Sequence, residues 1–302
     1  MAGSLSYMQD FFRRRSEFAD RFPDLRSILV LSVPYDDAPG NRPSGPPDPA
    51  RPAAGRVARY AKGRDYHREI RKKLKLLTQT IHSLAGAQTR VIATVDTSAV
   101  QERVLAESAG LGFFGKNTCL IRPKGGSYFF LCALLTDLDL VSDPPIQWDC
   151  GSCTLCIEAC PTQALTQPYQ LDAGRCISAL TIELRGPVPE PIRPKMGNWV
   201  FGCDICQEVC PYNHGPGAGE ESLIPLADLL SLRTEAQFLD QFAGTALTRA
   251  KREGLLRNAA IAAGNSKDST LIPALQETLA QDSSAVVREH AAWALNQLKA
   301  TP

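Results

Sequence analysis

The sequence lacks any apolar run that approaches the ~20 residues needed to cross a lipid bilayer. Its first fifteen residues lack the apolar stretch of a signal peptide and carry three consecutive arginines instead. The glycine-rich residues 110–117 do not match a P-loop, so we predict no nucleotide site there. These absences favour a cytoplasmic protein with no membrane partner.

The chain also lacks a large excess of either charge, because 33 Lys and Arg face 32 Asp and Glu. The distribution is uneven: residues 1–90 hold 17 basic and 9 acidic side chains, and residues 136–242 hold 5 and 15. Residues 51–75 alone contain ten basic side chains. Such a segment can mark a surface for a polyanion, but from charge alone we interpret it as a solvated helix face.

With 302 residues, the chain is long enough for two or three domains. Strands and helices alternate over residues 1–142, which favours an α/β domain. A cysteine-rich domain is predicted at 143–219 and a helical domain at 220–302. The predicted strands are residues 27–34, 89–95, 118–122 and 127–136, and the predicted helices of the first domain are 57–84 and 98–109.

The helical domain contains two similar segments, residues 256–263 and 287–294, at a spacing of 31. Arg257 aligns with Arg288, and small apolar residues align around them. The pattern is typical of HEAT-like helical repeats, although a plain helical cap explains two copies equally well.

Eight of the ten cysteines fall between residues 150 and 210, in two groups that each end in Cys-Pro. The first group has the C-x2-C-x2-C-x3-C spacing of bacterial ferredoxins, in which the fourth cysteine binds the other of two [4Fe-4S] clusters. The second group has its first cysteine far upstream. We therefore predict one cluster on Cys150, Cys153, Cys156 and Cys210, and a second on Cys160, Cys176, Cys203 and Cys206.

Zinc is the alternative to iron–sulfur clusters, but zinc sites usually use two C-x2-C pairs rather than a triplet. The other two cysteines, Cys119 and Cys132, fall in predicted strands with no ligand spacing. We interpret both as small core residues.

The first domain offers two candidates for a reactive site. Asp96 follows a buried strand, where a carboxylate either faces a ligand crevice or caps the next helix. His67 lies on the apolar face of the predicted helix, and a lone histidine there is more often a core residue. Asp65 and His67 match half of a cobalamin-binding Asp-x-His-x-x-Gly motif, but Ile70 replaces its glycine, so we do not predict His67 as a cobalt ligand.

Several stretches together resemble the epoxyqueuosine reductase family, in the family's order along the chain. They are ARYAKGRDYH (58–67), VDTSAVQERVLAESAGLGFFGKNTCLI (95–121), CGSCTLCIEACPTQAL (150–165), RCISALTIE (175–183) and NWVFGCDICQEVCPYN (198–213). The family usually has a longer segment before the first strand, so we expect the N-terminal domain to be short here.

The resemblance implies a cobalamin-binding first domain and an oxidoreductase that reduces epoxyqueuosine to queuosine in tRNA. Asp96 matches the family's proposed proton donor, and Tyr66 and His67 match residues near the same pocket. The resemblance also suggests cobalamin contacts, which are Arg59, Asp96, Lys116 and Asn117.

The implied partners are a tRNA with epoxyqueuosine in its anticodon loop and an external electron donor. The protein itself is expected to be a monomer. A tRNA needs cationic side chains against its phosphates. The candidates are part of residues 51–75 and Arg249, Lys251, Arg252, Arg257 and Arg288. Two other functions stay open at this stage: another cobalamin-dependent reductase of the dehalogenase type, and an iron–sulfur electron carrier or RNA-binding module without cobalamin.

Overall fold

The computed structural model describes residues 22–35, 53–96, 100–213 and 222–299. The strands are β1 (Ser27–Pro34), β2 (Ala54–Val57), β3 (Val91–Thr94), β4 (Phe113–Phe114), β5 (Leu120–Ile121), β6 (Phe129–Thr136), β7 (Leu165–Gln167), β8 (Gln170–Leu171), β9 (Trp199–Phe201) and β10 (Ser222–Pro225). The helices are α1 (Tyr66–Ala85), α2 (Glu102–Ser108), α3 (Leu155–Glu158), α4 (Ile177–Ile182), α5 (Ile205–Glu208), α6 (Leu226–Leu230), α7 (Glu235–Phe242), α8 (Lys251–Ser266), α9 (Ile272–Gln281) and α10 (Ala285–Lys299).

The first sheet has the strand order β1-β6-β3, and both pairings are antiparallel. The central strand β6 is apolar on both faces because helices cover both. Cys132 and Leu134 pack towards α1 on one face, and Ala133 and Leu135 pack towards α2 on the other. The predicted strands and helices are largely confirmed, but the antiparallel sheet gives this region an α+β rather than an α/β arrangement.

The predicted helix 57–84 is wrong at its start. Residues Ala54–Val57 form β2, a short 3-10 turn follows at Arg59–Ala61, and α1 begins only at Tyr66. Asp65 caps the helix by accepting a hydrogen bond from the backbone N–H of His67 at 3.0 Å. This later start places Tyr66 and His67 in the first turn of α1. The predicted helix start at residue 98 lies outside the described residues.

A second sheet joins distant parts of the chain. Strand β2 pairs antiparallel with β10 and parallel with β9, so each of the three predicted domains contributes one strand. Gly55 is needed here because a Cβ atom would lie 2.3 Å from Cγ1 of Val200. The largest apolar core then extends from this sheet into the C-terminal helices.

The C-terminal helices pack through α8, whose residues are almost all buried, against α10. The two similar sequence segments lie in these two helices and face each other. A Cβ atom on Gly264 would lie 2.8 Å from Cα of Ala294, so the helices approach closely. The repeat interpretation itself stays a prediction. In the described part of the chain, no helix is both long and apolar enough to cross a membrane.

Candidate functional site

The structure brings the first predicted set of cysteines together. Cys150, Cys153, Cys156 and Cys210 line one pocket. Burial, together with the nearby thiolates of the other three members, raises the pKa of the Cys156 thiol to about 11. Four convergent thiols of this kind need a cationic metal centre to hold them deprotonated, which is the donor set of a [4Fe-4S] cluster.

The second predicted set is also assembled. Burial raises the pKa of Cys203, and Cys176 and Cys160 are among the charged groups that add to the effect. The pKa of Cys206 is raised by its hydrogen bond to Cys119 and by burial, and the nearby charges of Cys203 and Cys176 add to the effect. The last cysteine of each run therefore lies in the other set, as the spacing predicts. Within the described residues, no three His, Cys, Asp or Glu side chains are placed to hold a single metal ion.

Cys119 lies next to Cys206 of the second set, and the hydrogen bond between the two thiols lowers the pKa of Cys119. Its interpretation as a small core residue stays a prediction. The contact could not be found from ligand spacing, since Cys119 belongs to neither cysteine run. Cys132 is buried in the sheet core, as predicted.

Residues 115–119 form a strap between the two cysteine sets. The backbone N–H of Lys116 points to the sulfur of Cys150 at 3.5 Å, and its Nζ donates to the carbonyls of Gly151 and Cys153 at 2.6 and 2.9 Å. Asn117 donates from Nδ2 to the carbonyl of Cys206 at 3.3 Å. These two side chains therefore bind the cysteine loops, and a contact of either with cobalamin stays a prediction.

Asp96 lies two residues after β3 with a φ of +53°, and its side chain is 58% exposed. Tyr66 donates a hydrogen bond from its hydroxyl to Asp96 Oδ2 at 2.8 Å. Nε2 of His67 lies 3.6 Å from the same oxygen, and Nδ1 of His67 pairs with Asp65 at 2.7 Å. The structure thus brings the three predicted catalytic residues into one group.

Aromatic packing holds the Tyr66 side chain of this group in place. The Tyr66 ring is stacked on Phe130 at a centroid distance of 3.9 Å and on His67 at 4.1 Å. Burial and the negative charge of Asp96 raise the pKa of the Tyr66 phenol well above its usual range. The phenol therefore stays protonated and acts as a hydrogen-bond donor to Asp96 at neutral pH.

Glu102, which the sequence did not single out, positions Asp96 from the other side. Its carboxylate accepts the backbone N–H of Asp96 at 2.8 Å. Burial raises the pKa of Glu102 to about 7. A glutamate eight residues after a strand end has no recognisable sequence signal, so only the fold reveals it.

Arg59 and Tyr60 connect the Asp96 group to the second cysteine set. The backbone N–H of Arg59 donates to Asp204 Oδ2 at 2.7 Å, and Asp204 stands between Cys203 and Cys206 in the chain. Burial raises the pKa of Asp204 to about 6. The Tyr60 ring contacts Tyr66 at 6.3 Å and Phe201 at 6.1 Å. The second set is therefore the one next to Asp96.

Five arginines and lysines of the C-terminal domain are predicted to contact tRNA. For two of them the prediction is wrong, because they are interior residues. Arg252 is buried in an ion pair with Asp282. Arg257 is 1% exposed and donates to three backbone carbonyls and to Asn258. Their guanidinium groups are already occupied, so neither is available to a phosphate.

The other three candidates differ among themselves. Arg288 donates to the carbonyls of Asp282 and Ser283 and is half-buried. Arg249 is exposed and paired with Glu183 at 2.5 Å, and Lys251 is exposed. Their contact with tRNA stays a prediction.

The geometry first defines a class of protein, an iron–sulfur oxidoreductase with an acidic reaction site beside one of two cysteine sets. Residues 149–213 match a family profile described as a 4Fe-4S double cluster binding domain. Residues 15–97 match the profile of "Epoxyqueuosine reductase QueG, DUF1730".

Curated relatives specify the family within this class. The epoxyqueuosine reductase of Xanthomonas campestris is 40% identical over an alignment of 304 positions that covers 98% of this chain and 84% of the relative. The Pseudomonas aeruginosa enzyme is 41% identical over an alignment of 306 positions that covers 98% of this chain and 83% of that enzyme. The chain belongs to the epoxyqueuosine reductase family, which confirms the resemblance found in the sequence.

Solved structures agree with this assignment. An epoxyqueuosine reductase with a tRNA-Tyr epoxyqueuosine-modified stem loop is 35% identical, with a TM-score of 0.83, 93% of this chain covered and 75% of that one. The Bacillus subtilis enzyme, with an aspartate-bearing catalytic loop swung out of the active site, is 33% identical, with a TM-score of 0.84 and coverages of 95% and 77%.

The raised pKa of Glu102 makes the free energy of unfolding depend on pH. The pKa of Glu102 in the folded protein, about 7, exceeds its ordinary value of 4.5, so folding binds a proton. Its contribution is fully present below the lower value and is lost as the pH rises through the upper one. The difference in melting temperature between the parent and Glu102→Gln should therefore shift against the parent as the pH rises from about 5 to about 8. A difference that stays constant across this range would contradict the assignment.

Proposed function

We propose that this chain reduces epoxyqueuosine to queuosine in tRNA, the last step of queuosine biosynthesis. The observation that carries the proposal is the contact between the Asp96 group and the second cysteine set through Arg59 and Tyr60. A proton donor thereby lies beside an electron source, which is what the removal of an epoxide oxygen requires. Family membership supports the same reaction, and the cytoplasm, where tRNA is modified, is the proposed location.

The proposed cofactors are two [4Fe-4S] clusters and cobalamin. The eight cysteines fit the clusters, because they form two separate sets of four thiols. Beside Asp96, the polar atoms His67 Nε2 and Thr94 Oγ1 are buried and have no hydrogen-bond partner among the described residues. A bound group at this place would satisfy them, so these residues fit a cofactor pocket. Cobalamin, when bound, supplies a strongly reducing low-valent cobalt.

The chemistry asked of the protein is proton delivery. Conversion of an epoxide to an alkene consumes two electrons and two protons and releases the oxygen as water. Asp96 is the proposed donor to that oxygen, since its carboxylate is exposed towards the open side of the group. Tyr66 and His67 hold the carboxylate in place. The mobile aspartate loop of the B. subtilis enzyme supports a catalytic role for this segment.

The tRNA is proposed to lie along helix α1. Its solvent face carries cationic side chains at helical spacing, so they form one stripe that begins next to the Asp96 group. Stem phosphates bound there would place the anticodon loop over the pocket, where a base must leave its stack to react. The stripe consists of Arg68, Arg71, Lys72 and Lys75. We further propose that the enzyme is a monomer served by an external electron donor.

The proton-donor role predicts a specific loss in Asp96→Asn. The amide cannot release a proton, so conversion of epoxyqueuosine should fall at least about a hundredfold. The carboxamide keeps the shape of the side chain, so iron content and tRNA affinity should stay at the parent level. Nucleoside mass analysis after anaerobic incubation with a strong reductant and substrate tRNA measures the conversion. Turnover at the parent rate would remove Asp96 from this role.

The assignment of eight ligands predicts the iron content of two cysteine variants. The parent should bind about eight iron atoms per chain, four in each cluster. Cys176→Ala removes a ligand of the second set and should leave about four. Cys119→Ala is the matched control, because Cys119 touches the same set without being a proposed ligand, and it should keep the parent value. Equal iron in parent and Cys176→Ala would show that Cys176 is not a ligand.

The stripe on α1 predicts a change in the salt dependence of tRNA binding. Each lost phosphate contact lowers the slope of log K against log salt by nearly one, so Arg71→Gln/Lys75→Gln should lower it by about two. Lys267→Gln, an exposed lysine between α8 and α9, is the control and should keep the parent slope. Titrations of a fluorescent tRNA stem loop at several salt concentrations measure both. An unchanged slope in the double variant would exclude the stripe.

A further inference from the structure

Large apolar side chains are exposed on the surface above the first cysteine set. Trp148 is 53% exposed, Tyr169 is 51% exposed and Leu155 is 46% exposed. Trp148 and Tyr169 also line one open depression, with Phe114 and the charged side chains of Arg103, Glu107 and Asp149 in its wall. Isolated exposed apolar residues are ordinary, but three near one cysteine set form a patch of the kind that binds another protein.

The patch lies directly over the thiols. Leu155 and Tyr212 line the same pocket as Cys150 and Cys153. The Tyr212 hydroxyl donates to the carbonyl of Asp149 at 3.0 Å, and its ring contacts Trp148 at a centroid distance of 6.5 Å. The backbone N–H of Tyr169 donates to the carbonyl of Lys116 at 3.1 Å, and the N–H of Lys116 in turn points to the sulfur of Cys150. We call Trp148, Leu155, Tyr169 and Tyr212 the aromatic collar.

The second cysteine set has a different surrounding. A depression that opens to solvent next to Cys160 is lined by the polar side chains of Glu158, Gln163 and Arg175. The other side of the set contacts the Asp96 group through Arg59 and Tyr60. The apolar collar therefore belongs to the first set, whereas the second set is the one in contact with the Asp96 group.

We propose that the aromatic collar is the docking surface of the electron donor, and that this donor is a low-potential one-electron carrier protein with an apolar rim around its own redox centre. This inference rests on the proposed function, because it assumes a [4Fe-4S] cluster on the first cysteine set. The collar brings the carrier's centre close to that cluster, since only side chains that line the pocket separate the two.

The electron balance fits a one-electron carrier. In each docking, one electron leaves the reduced centre of the carrier and passes to the cluster of the first set. Two such transfers supply the two electrons that, with two protons, convert the epoxide to the alkene and water. A docking surface of four side chains also suits a partner that must leave after every transfer, because transient electron-transfer complexes bury little surface area.

The test uses flavodoxin hydroquinone as the probe, because its one-electron oxidation to the semiquinone has a spectrum distinct from that of the clusters. Stopped-flow mixing with the cluster-loaded chain measures the rate of semiquinone formation. The variants are Trp148→Glu and Tyr169→Asn, the latter chosen because asparagine accepts the φ of +66° at this position. The control is Leu279→Glu, which places a charge on an exposed apolar residue of α9.

We expect semiquinone formation at a subsaturating probe concentration to slow by about tenfold in each collar variant. Leu279→Glu should keep the parent rate. Cluster bleaching by dithionite, which needs no docking surface, should be equal in all four proteins. Equal flavodoxin rates in parent, collar variants and control would overturn the proposal, and so would a parent that oxidises no flavodoxin hydroquinone.

The same preparations separate this inference from the proposed function. Conversion of epoxyqueuosine driven by dithionite depends on the clusters and the Asp96 group but not on the carrier. If the parent converts the nucleoside with dithionite while the collar variants accept electrons from flavodoxin at the parent rate, only the docking surface is wrong. If no nucleoside is converted under dithionite, the proposed function itself fails.

Discussion

The site depends on one constraint: each cysteine run contributes its last cysteine to the set of the other run. Because Cys160 and Cys210 each leave their own loop for the opposite set, helices α3 and α5 must lie side by side. The strap at residues 115–119 fits only this arrangement, since Lys116 binds one loop and Asn117 binds the other. The Asp96 group and the second cysteine set then lie next to each other, because Asp204 in the second loop also binds the backbone of Arg59 and Tyr60 contacts Tyr66.

Buried charge holds the C-terminal helices against this centre. Arg257 takes the carbonyls of residues that follow α4, and the neighbouring Asn258 bonds to Thr181 and Val200. Removing either partner would leave several buried carbonyls without a donor, which is costly in an apolar core. These side chains therefore serve the interior, although their sequence pattern matches that of a basic surface.

The sequence patterns predict local features well and contacts between distant segments poorly. Ligand spacing led to both cysteine sets, and the apolar runs of β1 and β6 led to the buried sheet. The start of α1 was misplaced, because β2 is a strand only through its pairing with β9 and β10. Arg257 and Glu102 were misread or missed for the same reason: their partners lie on other elements, and no periodicity in one segment reports them.

The sheet of β2, β9 and β10 has a consequence for biosynthesis. Val57 pairs with Ser222, so the N-terminal part of the chain cannot complete its fold until residues near 225 have left the ribosome. Contacts this distant in sequence form late and slowly. Both cysteine runs are synthesised before that closure. The nascent chain therefore offers its thiols to the iron–sulfur assembly machinery while the surrounding walls are still open.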